Sequence, residues 1–176
     1  MLSSKDMYDR MKNGWQGGKP DGTICGQGST RKNTSKVSSW LPKICEELTI
    51  KSVCDAGAGD MHWIKHVDWV VDYKPFDLIP RSHAVKKLDI TKKQLPECDA
   101  ILCRMVLNHL DDQRVGMAIN LFRKSAWFLI ATHFIDGGVQ RTSQFTRLDL
   151  TELLGEPLAM SVDGHEDNCR LAIWEL

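Results

Sequence analysis

Apolar side chains recur at helical spacing in two stretches of the N-terminal half, residues 6–15 and 37–48. Positions three or four apart lie on one face of an α-helix, so this spacing predicts two amphipathic helices. Pro42 fits best in the first turn of the second helix, after a cap at Ser38 or Ser39, although a kinked helix with an earlier start also fits. The apolar positions are Met7, Tyr8, Met11 and Trp15 in the first helix and Val37, Trp40, Leu41, Ile44 and Leu48 in the second.

From residue 51 onward the apolar residues form short continuous runs that are separated by polar turns. Runs of this kind are typical of strands that are buried on both faces of a parallel sheet. A further helix is predicted before the fifth run, because Asp111 and Asp112 suit the positive end of a helix dipole and apolar residues follow at helical spacing. The apolar positions of this helix are Val115, Ala118, Leu121 and Phe122, and the predicted strands are residues 52–54, 69–71, 84–88, 100–103 and 127–131.

Two more apolar runs, residues 158–162 and 169–174, flank a polar turn and predict an antiparallel hairpin at the end of the chain. Together these elements predict an α/β fold with a doubly wound, mostly parallel sheet and an antiparallel C-terminal hairpin. The links over residues 72–84 and 90–99 are near the lower limit for a parallel crossover. We therefore expect at most one helical turn in each link.

A glycine-rich segment lies between the first two predicted helices. Residues 13–34 contain few aliphatic side chains, and a loop of this length is either a solvated linker or a lid over a site. Its last part, residues 26–34, offers backbone N–H groups, hydroxyls and two cations that suit a carboxylate or phosphate. We divide the single-domain chain into an N-terminal helix and glycine-rich lid segment, residues 1–34, and an α/β domain, residues 35–176.

Charge and cysteine content narrow the possible partners and the expected location. Lys+Arg and Asp+Glu number 23 each, which removes the simplest electrostatic argument for binding nucleic acid or an anionic membrane. The sequence has no apolar run long enough to span a membrane and no secretory signal pattern. The six cysteines form no C-x-x-C pair, so we expect reduced, mostly buried thiols, no metal site and a cytoplasmic protein. The oligomeric state stays open.

Acidic residues stand where the first three predicted strands end. Asp55 closes the first run, and Gly57 and Gly59 follow it in a turn that a ligand can approach closely. Asp72 and Asp89 close the next two runs. Since ligands of such sheets bind beyond the carboxyl ends of the strands, Asp72 is placed to accept hydrogen bonds from ribose hydroxyls and Asp89 from an adenine amine. The alternative is that these acids are only polar strand ends.

The spacing of the glycines argues against a dinucleotide. The fingerprint G-x-G-x-x-G needs a third glycine for close packing of helix and strand, and this chain has His62 there, next to Met61. No helix N-terminus is obviously free to bind a pyrophosphate. The residues therefore favour an adenosine ligand without a diphosphate, and an NAD-linked oxidoreductase is disfavoured.

The segment Asp55-Ala56-Gly57-Ala58-Gly59-Asp60 resembles motif I of class I S-adenosylmethionine-dependent methyltransferases. The resemblance continues through Val71-Asp72-Tyr73, Leu88-Asp89-Ile90 and residues 103–110. Residues 26–30, 131–134 and 171–174 look like a subgroup of small bacterial and viral methyltransferases, so the resemblance covers most of the chain from Gly26 onward. Met105 departs from the subgroup, which tends to carry an acid after the arginine.

The resemblance implies a Rossmann-like sheet of seven strands and S-adenosyl-L-methionine as the cofactor. It assigns the turn from Ala56 to Gly59 to the methionine part of the cofactor, and the carboxylate of Asp55 to its ammonium group. The other implied contacts are Asp72 and Tyr73 at the ribose, Asp89 and Ile90 at the adenine, and Ser29, Thr30 and Arg104 around the site.

Candidate catalytic residues follow the fourth and fifth strands. Arg104 is a candidate for holding an anionic substrate group, or else it pairs with a nearby acid. Asn108 belongs to the same region. His109 and His133 have near-neutral reference pKa values that suit a general base, while the alternative for both is a hydrogen-bonded structural role.

The predicted function is methyl transfer from S-adenosylmethionine to a small-molecule or sugar-like acceptor. The main alternative is a protein that binds the cofactor without transferring the methyl group, either an enzyme that degrades it or a regulatory subunit. Substrate pockets in this fold are built by variable loops, so the acceptor stays unidentified at this level.

Overall fold

The computed structural model describes residues 9, 20–135, 140–141, 145–164 and 168–176. Its strands are β1 Ser52–Ala56, β2 Asp72–Asp77, β3 Lys86–Lys87, β4 Ala100–Cys103, β5 Phe128–Phe134, β6 Gln140–Arg141, β7 Thr146–Arg147, β8 Ala159–Val162 and β9 Cys169–Glu175. The predicted helix over residues 6–15, apart from Asp9, and the centre of the predicted hairpin turn lie outside the described residues.

Seven of the described strands form one sheet in the order β3-β2-β1-β4-β5-β9-β8, and β6 pairs with β7 separately. Strands β1 to β5 are parallel, while β9 is antiparallel to both β5 and β8. The predicted fold class, a mostly parallel seven-stranded sheet with an antiparallel C-terminal hairpin, is therefore confirmed. The central strands β1, β4 and β5 are almost wholly buried because they carry apolar side chains on both faces.

Helix α1, Arg31–Glu47, covers one face of the sheet. Thr30 caps it by accepting a hydrogen bond from the backbone N–H of Asn33, and its buried side chains pack against β1, β4 and β5. The helix starts earlier than a cap at Ser38 or Ser39 would place it, and Pro42 lies inside it. The predicted division at residue 34 consequently falls within one helix. The buried side chains of α1 are Thr34, Val37, Leu41, Ile44 and Cys45.

Helix α2, Asp112–Phe122, covers the other face, as predicted. Asp111 caps it and accepts a hydrogen bond of 2.9 Å from the backbone N–H of Arg114. Ile119 is buried on its inner face, whereas the predicted Leu121 is only partly buried. A shorter helix, α3, spans Thr151–Leu154. The buried side chains of α2 form a hydrophobic cluster with residues of β1, β4 and β5; they are Val115, Ala118, Ile119 and Phe122.

The prediction that residues 69–71 form the second strand is wrong. Val70 is 99% exposed, and β2 begins only at Asp72, which lies beside Ser52 at the start of β1. Residues 72–77 form a strand in spite of their polar side chains. Because β3 pairs only with the last two of these residues, Lys74 and Pro75 have no neighbouring strand on one side, where a missing N–H is tolerated. The last residue of β2 is Asp77.

The bounds of the other strands differ less from the predicted ones. The third strand is limited to Lys86–Lys87, and β5 continues three residues beyond its predicted end, to Phe134. Between β1 and β2 the described chain has only a 3-10 turn, Ile64–His66, and the links around β3 contain no helix, as the short crossovers predict. All six cysteines are free, and none of the described helices is both long and apolar enough to cross a membrane.

Asp99 joins the beginnings of β1 and β4. Its Oδ2 accepts hydrogen bonds of 2.8 Å from the backbone N–H groups of Lys51 and Ser52 and one of 3.0 Å from the Ser52 hydroxyl. Burial raises the pKa of Asp99, but the hydrogen bonds from Lys51 and Ser52 outweigh it, so the pKa is lowered overall.

We expect Asp99→Ala to lower the free energy of unfolding by about 1 kcal/mol at neutral pH, since two backbone donors lose a charged acceptor. Because the folded-state pKa lies below the unfolded value, this contribution is present above about pH 4 and is lost as the pH falls. Urea unfolding at pH 7 and pH 3 tests this, with the exposed Glu97→Ala as control. Equal effects of both variants at pH 7 would contradict the assignment.

Candidate functional site

The turn after β1 is attached to the end of β2 by its backbone. The N–H groups of Gly57 and Ala58 donate to the carbonyl of Phe76 at 2.8 and 3.0 Å, and the N–H of Gly59 donates to Oδ2 of Asp77 at 2.9 Å. Gly57 and Gly59 have φ values of 120° and 58°, which an L side chain adopts with strain. These hydrogen bonds therefore hold the turn in one position at the edge of the sheet where the parallel strands end.

Close neighbours also require glycine at both positions. A Cβ added to Gly57 would lie 2.2 Å from Cγ2 of Val106, in the loop after β4. A Cβ added to Gly59 would lie 2.6 Å from Sγ of Cys25, in the segment before α1. Two distant parts of the chain thus pack on the bare backbone of the turn.

The described part of the glycine-rich segment lies against this turn. Asp60 holds it, because its Oδ2 accepts hydrogen bonds of 2.8 Å from the hydroxyl of Thr23 and from the backbone N–H of Ile24. These bonds and others outweigh burial and lower the pKa of Asp60. The segment continues through a 3-10 turn, Gln27–Ser29, into the cap of α1. It therefore covers one side of the cleft beside the turn.

A small cleft lies between the segment and the turn. Its lining includes six of the predicted cofactor residues, Asp60 at the end of the motif I segment, Trp63, and Cys25, which sequence reasoning did not select. Thr30 instead caps α1, and Ala56 is fully buried in the core. The lining residues are Cys25, Ser29, Asp55, Gly57, Ala58, Gly59, Asp60, Trp63 and Arg104.

Asp55 is a buried carboxylate in this cleft. It is 5% exposed, and its Oδ2 accepts a hydrogen bond of 2.5 Å from the hydroxyl of Tyr73. Burial, with a smaller contribution from the nearby Asp77, raises the pKa of Asp55 to about 7 against the opposing hydrogen bond from Tyr73. Asp55 consequently changes its charge near neutral pH. Tyr73, predicted at the ribose, is instead the partner of this carboxylate.

Asp77, not Asp72, stands at the carboxyl end of β2. Asp72 lies at the opposite end of the strand, with its side chain 65% exposed and 2.9 Å from Nζ of Lys74. Asp77 is buried and accepts hydrogen bonds from the N–H groups of Gly59 and Ile79. Burial raises its pKa in spite of those bonds. The available signal was spacing, because a ribose-binding acid stands about 20 residues after such a turn.

Asp89 follows β3 at the same edge of the sheet, as predicted, but its carboxylate accepts hydrogen bonds from within the local turn. Its Oδ1 accepts hydrogen bonds from the N–H and the hydroxyl of Thr91 at 3.0 and 2.7 Å, and Lys92 lies 3.4 Å from Oδ2. Burial is outweighed by the bonds from Thr91, so the pKa of Asp89 is lowered. Ile90 is 9% exposed and packs in the core.

Arg104 is buried and paired with a carboxylate that no local pattern indicated. Its Nε lies 3.0 and 2.9 Å from the two carboxylate oxygens of Asp163, and its Nη2 lies 2.7 Å from Oδ1. Nη2 also donates to the carbonyl of Gly28 at 2.7 Å. The guanidinium carbon stands 5.1 Å from the ring centroid of Trp63. Of the two predicted alternatives, pairing with an acid is the one observed.

The two candidate histidines have different surroundings. His133 is 4% exposed, accepts a hydrogen bond of 3.2 Å at Nδ1 from the N–H of Leu150, and does not line the cleft. Burial lowers its pKa, so the ring stays neutral at pH 7. His109 is half-buried in a 3-10 turn after β4, with its ring 5.7 Å from that of Phe145. The arrangement gives His133 a structural role.

Asn108 lies next to His109 and is almost fully buried. Its Nδ2 donates to the carbonyl of Thr146 at 3.0 Å, while its Oδ1 is the one buried side-chain oxygen or nitrogen of the described residues without a hydrogen-bond partner. The carbonyl of Thr146 fixes the orientation of the amide.

The cleft has a negative electrostatic character. Asp55, Asp60 and Asp77 surround the glycine turn, whereas the charge of Arg104 is balanced by Asp163. A positively charged group is therefore favoured beside the turn, and a pyrophosphate is disfavoured. In addition, the described chain has no α-helix between the turn and β2, so the helix N-terminus that binds the pyrophosphate of a dinucleotide is missing there.

Comparisons with known proteins rest on the fold. No protein-family model and no curated protein sequence matches the chain. In structure it is similar to N-methyltransferase NodS from Bradyrhizobium japonicum WM9, solved with S-adenosyl-L-homocysteine, at a TM-score of 0.68 and 15% identity over 96% of this chain and 97% of that one.

Two further structures are similar over most of their length. Burkholderia thailandensis 1,6-didemethyltoxoflavin-N1-methyltransferase gives a TM-score of 0.64 at 12% identity, covering 99% of this chain and 91% of that one. Magnesium protoporphyrin IX methyltransferase from Synechocystis PCC 6803, with bound S-adenosylmethionine, gives 0.59 at 16% identity, covering 98% and 90%. The chain therefore has the fold of class I S-adenosylmethionine-dependent methyltransferases, and the predicted resemblance is confirmed at the level of the fold.

We expect Asp55→Asn to make the protein more stable at pH 8. The folded-state pKa of Asp55 is raised to about 7. The contribution of the protonated acid to stability is therefore fully present below about pH 4 and is lost as the pH rises through 7. Asparagine keeps an acceptor for Tyr73 and stays neutral, so the variant should gain about 2–4 kcal/mol over the wild type at pH 8. Urea unfolding from pH 5 to 8 measures the difference, and a difference independent of pH would contradict the buried-acid assignment.

Proposed function

We propose that the chain binds S-adenosyl-L-methionine in the cleft beside the glycine turn and transfers its methyl group to a small-molecule acceptor. The observation that carries the proposal is the set of three carboxylates around bare backbone at the carboxyl edge of a methyltransferase-type sheet. S-adenosylmethionine carries a sulfonium and an ammonium group, whose positive charges suit this negative cleft.

The methionine half of the cofactor fits between the turn and the segment before α1. The cleft between them is lined by Gly57, Ala58 and Gly59 of the turn and by Cys25 and Ser29 of the segment. Asp55 is poised to ionise near pH 7, and an ammonium group beside it would favour the charged carboxylate. When bound, the cofactor supplies an activated methyl group, and the protein orients the acceptor and excludes water.

The nucleoside half is proposed to lie over the ends of β2 and β3. Asp77 is the acid whose position suits the ribose hydroxyls, because Gly59 ties it directly to the glycine turn. Asp89 and Ile90 lie after β3 at the same edge and remain the proposed neighbours of the adenine. Asp72 and Tyr73 are no longer part of the proposed ribose site.

The acceptor is proposed to bind over the loop that follows β4. Val106 of this loop lies beside Gly57, and His109 donates its backbone N–H to the carbonyl of Val106. His109 is therefore the better candidate for a general base, since Nδ1 of the buried His133 already accepts a hydrogen bond from the N–H of Leu150. Both the NodS and toxoflavin relatives are named N-methyltransferases, which supports a small acceptor without identifying it.

Incubation with radiolabelled S-adenosylmethionine and a panel of small amines, phenols and sugars tests transfer directly. We expect label in one acceptor class and S-adenosylhomocysteine as the second product. Cofactor binding with no labelled acceptor and release of methylthioadenosine or homoserine lactone would instead identify a cofactor-degrading enzyme. If neither S-adenosylmethionine nor S-adenosylhomocysteine binds, the proposed function is wrong.

We expect Asp77→Asn to weaken S-adenosylhomocysteine binding about tenfold or more, because hydrogen bonds from the ribose to a charged acceptor are worth about 1.5–3 kcal/mol. Asp72→Asn is the matched control, since it changes an acid in the same strand at the opposite sheet edge and should leave affinity unchanged. Isothermal titration calorimetry measures both. A loss of affinity in Asp72→Asn with none in Asp77→Asn would reverse the assignment.

A further inference from the structure

We propose that Arg104 and Asp163 form a latch that positions residues 26–30 over the cofactor cleft, so that the β8–β9 hairpin controls how tightly the cleft holds its ligand. The identity of that ligand rests on the proposed function, whereas the latch itself rests on contacts within the chain. Arg104 is in this view a positioning residue.

The pair has the geometry of a fixed structural contact. The side chains of Arg104 and Asp163 are 4% and 1% exposed, and two nitrogens of the guanidinium face the carboxylate. A planar guanidinium can make such a double contact, which an ammonium group cannot reproduce. Removal of one partner would leave a buried charge without compensation, so the paired arrangement is strongly favoured.

The same guanidinium reaches the glycine-rich segment. Nη2 of Arg104 is shared between Asp163 and the carbonyl of Gly28, and Ser29 next to it lines the cleft. Asp163 follows β8, and the next residue, Gly164, donates its N–H to the carbonyl of Asn33 in α1. Arg104 therefore connects the end of β4, the hairpin and the segment that covers the cleft.

Asp163 acts at a distance from the ligand. It does not line the cleft, and its carboxylate is turned to Arg104. Asp163 therefore reaches the cleft through Arg104, which lines the cleft and donates to the carbonyl of Gly28. This separates a positioning role from direct contact, which a substitution of Arg104 alone would not do.

Cys25 reports the position of the segment. It stands between the two attachments of the segment, at Asp60 and at Arg104, with Sγ against Gly59. Cys25 is the half-buried thiol of the chain, while the other five are buried. Burial, with the charge of Asp60, raises the pKa of Cys25 to about 12, which keeps the thiol unreactive while the segment is closed. Opening of the segment exposes it.

The experiment follows alkylation of Cys25 by iodoacetamide in the ligand-free protein, read by mass spectrometry of the peptide. In Asp163→Asn we expect the Cys25 rate to rise about tenfold while the five buried cysteines stay unmodified, because a local opening exposes only the segment. Arg104→Lys keeps the positive charge but loses the double contact, and it should show the same change. Cys25→Ser confirms the labelled site.

The second measurement is calorimetric titration with S-adenosylhomocysteine. Asp163→Asn should bind about tenfold more weakly than the wild type, and ligand should slow Cys25 alkylation less in the variant. Ile119→Ala, a core substitution in α2 away from the latch, is the control for general destabilisation: it should lower the melting temperature and leave both readouts unchanged.

The outcomes separate the latch from the proposed function. Unchanged Cys25 reactivity in folded Asp163→Asn and Arg104→Lys would overturn the latch, and so would uniform labelling of all cysteines at the same rate. If one variant does not fold, the other decides. Failure of the wild type to bind S-adenosylhomocysteine would reject the proposed ligand, while the alkylation rates in ligand-free protein would still test the latch.

Discussion

The attachment of the turn after β1 to the end of β2 is the constraint on which the site depends. Three consecutive backbone N–H groups, those of Gly57, Ala58 and Gly59, donate to Phe76 and Asp77. This attachment fixes two glycines at positive φ and brings Asp77, at the end of β2, close to Asp55 in β1. The segment before α1 and the loop after β4 then pack directly on bare backbone, so any side chain at these glycines would displace them.

The site also illustrates how binding chemistry opposes stability. Asp55 lies in a buried place where its charge is disfavoured, next to Asp77, and only the hydroxyl of Tyr73 and the more distant Arg104 favour ionisation. An isolated folded chain would be better served by a neutral residue there. A cationic ligand reverses this balance, which is a physical reason for a buried acid to lie beside a ligand cleft.

Much of the fold could be predicted because it depends on local patterns. The 3.6-residue spacing located α1 and α2, and continuous apolar runs located β1, β4, β5 and the hairpin strands, since burial on both faces requires apolar residues throughout. The second strand was missed because it does not have this apolar pattern. Asp72, Lys74 and Pro75 are tolerated there because β2 has no neighbouring strand on one side at these residues. The acid at the carboxyl end of that strand is consequently Asp77, and Asp72 stands at its beginning.

The sequence by itself determined the glycine turn with its preceding acid, the class of the sheet, and the presence of His62 where a dinucleotide fingerprint has its third glycine. These features are local, because they depend on the φ values and packing that neighbouring residues allow. Only the tertiary structure decided that Arg104 pairs with Asp163, 59 positions away, and that Cys25 lines the cleft. Such contacts depend on strand register and on where the hairpin packs, and periodicity along the chain carries no information about either.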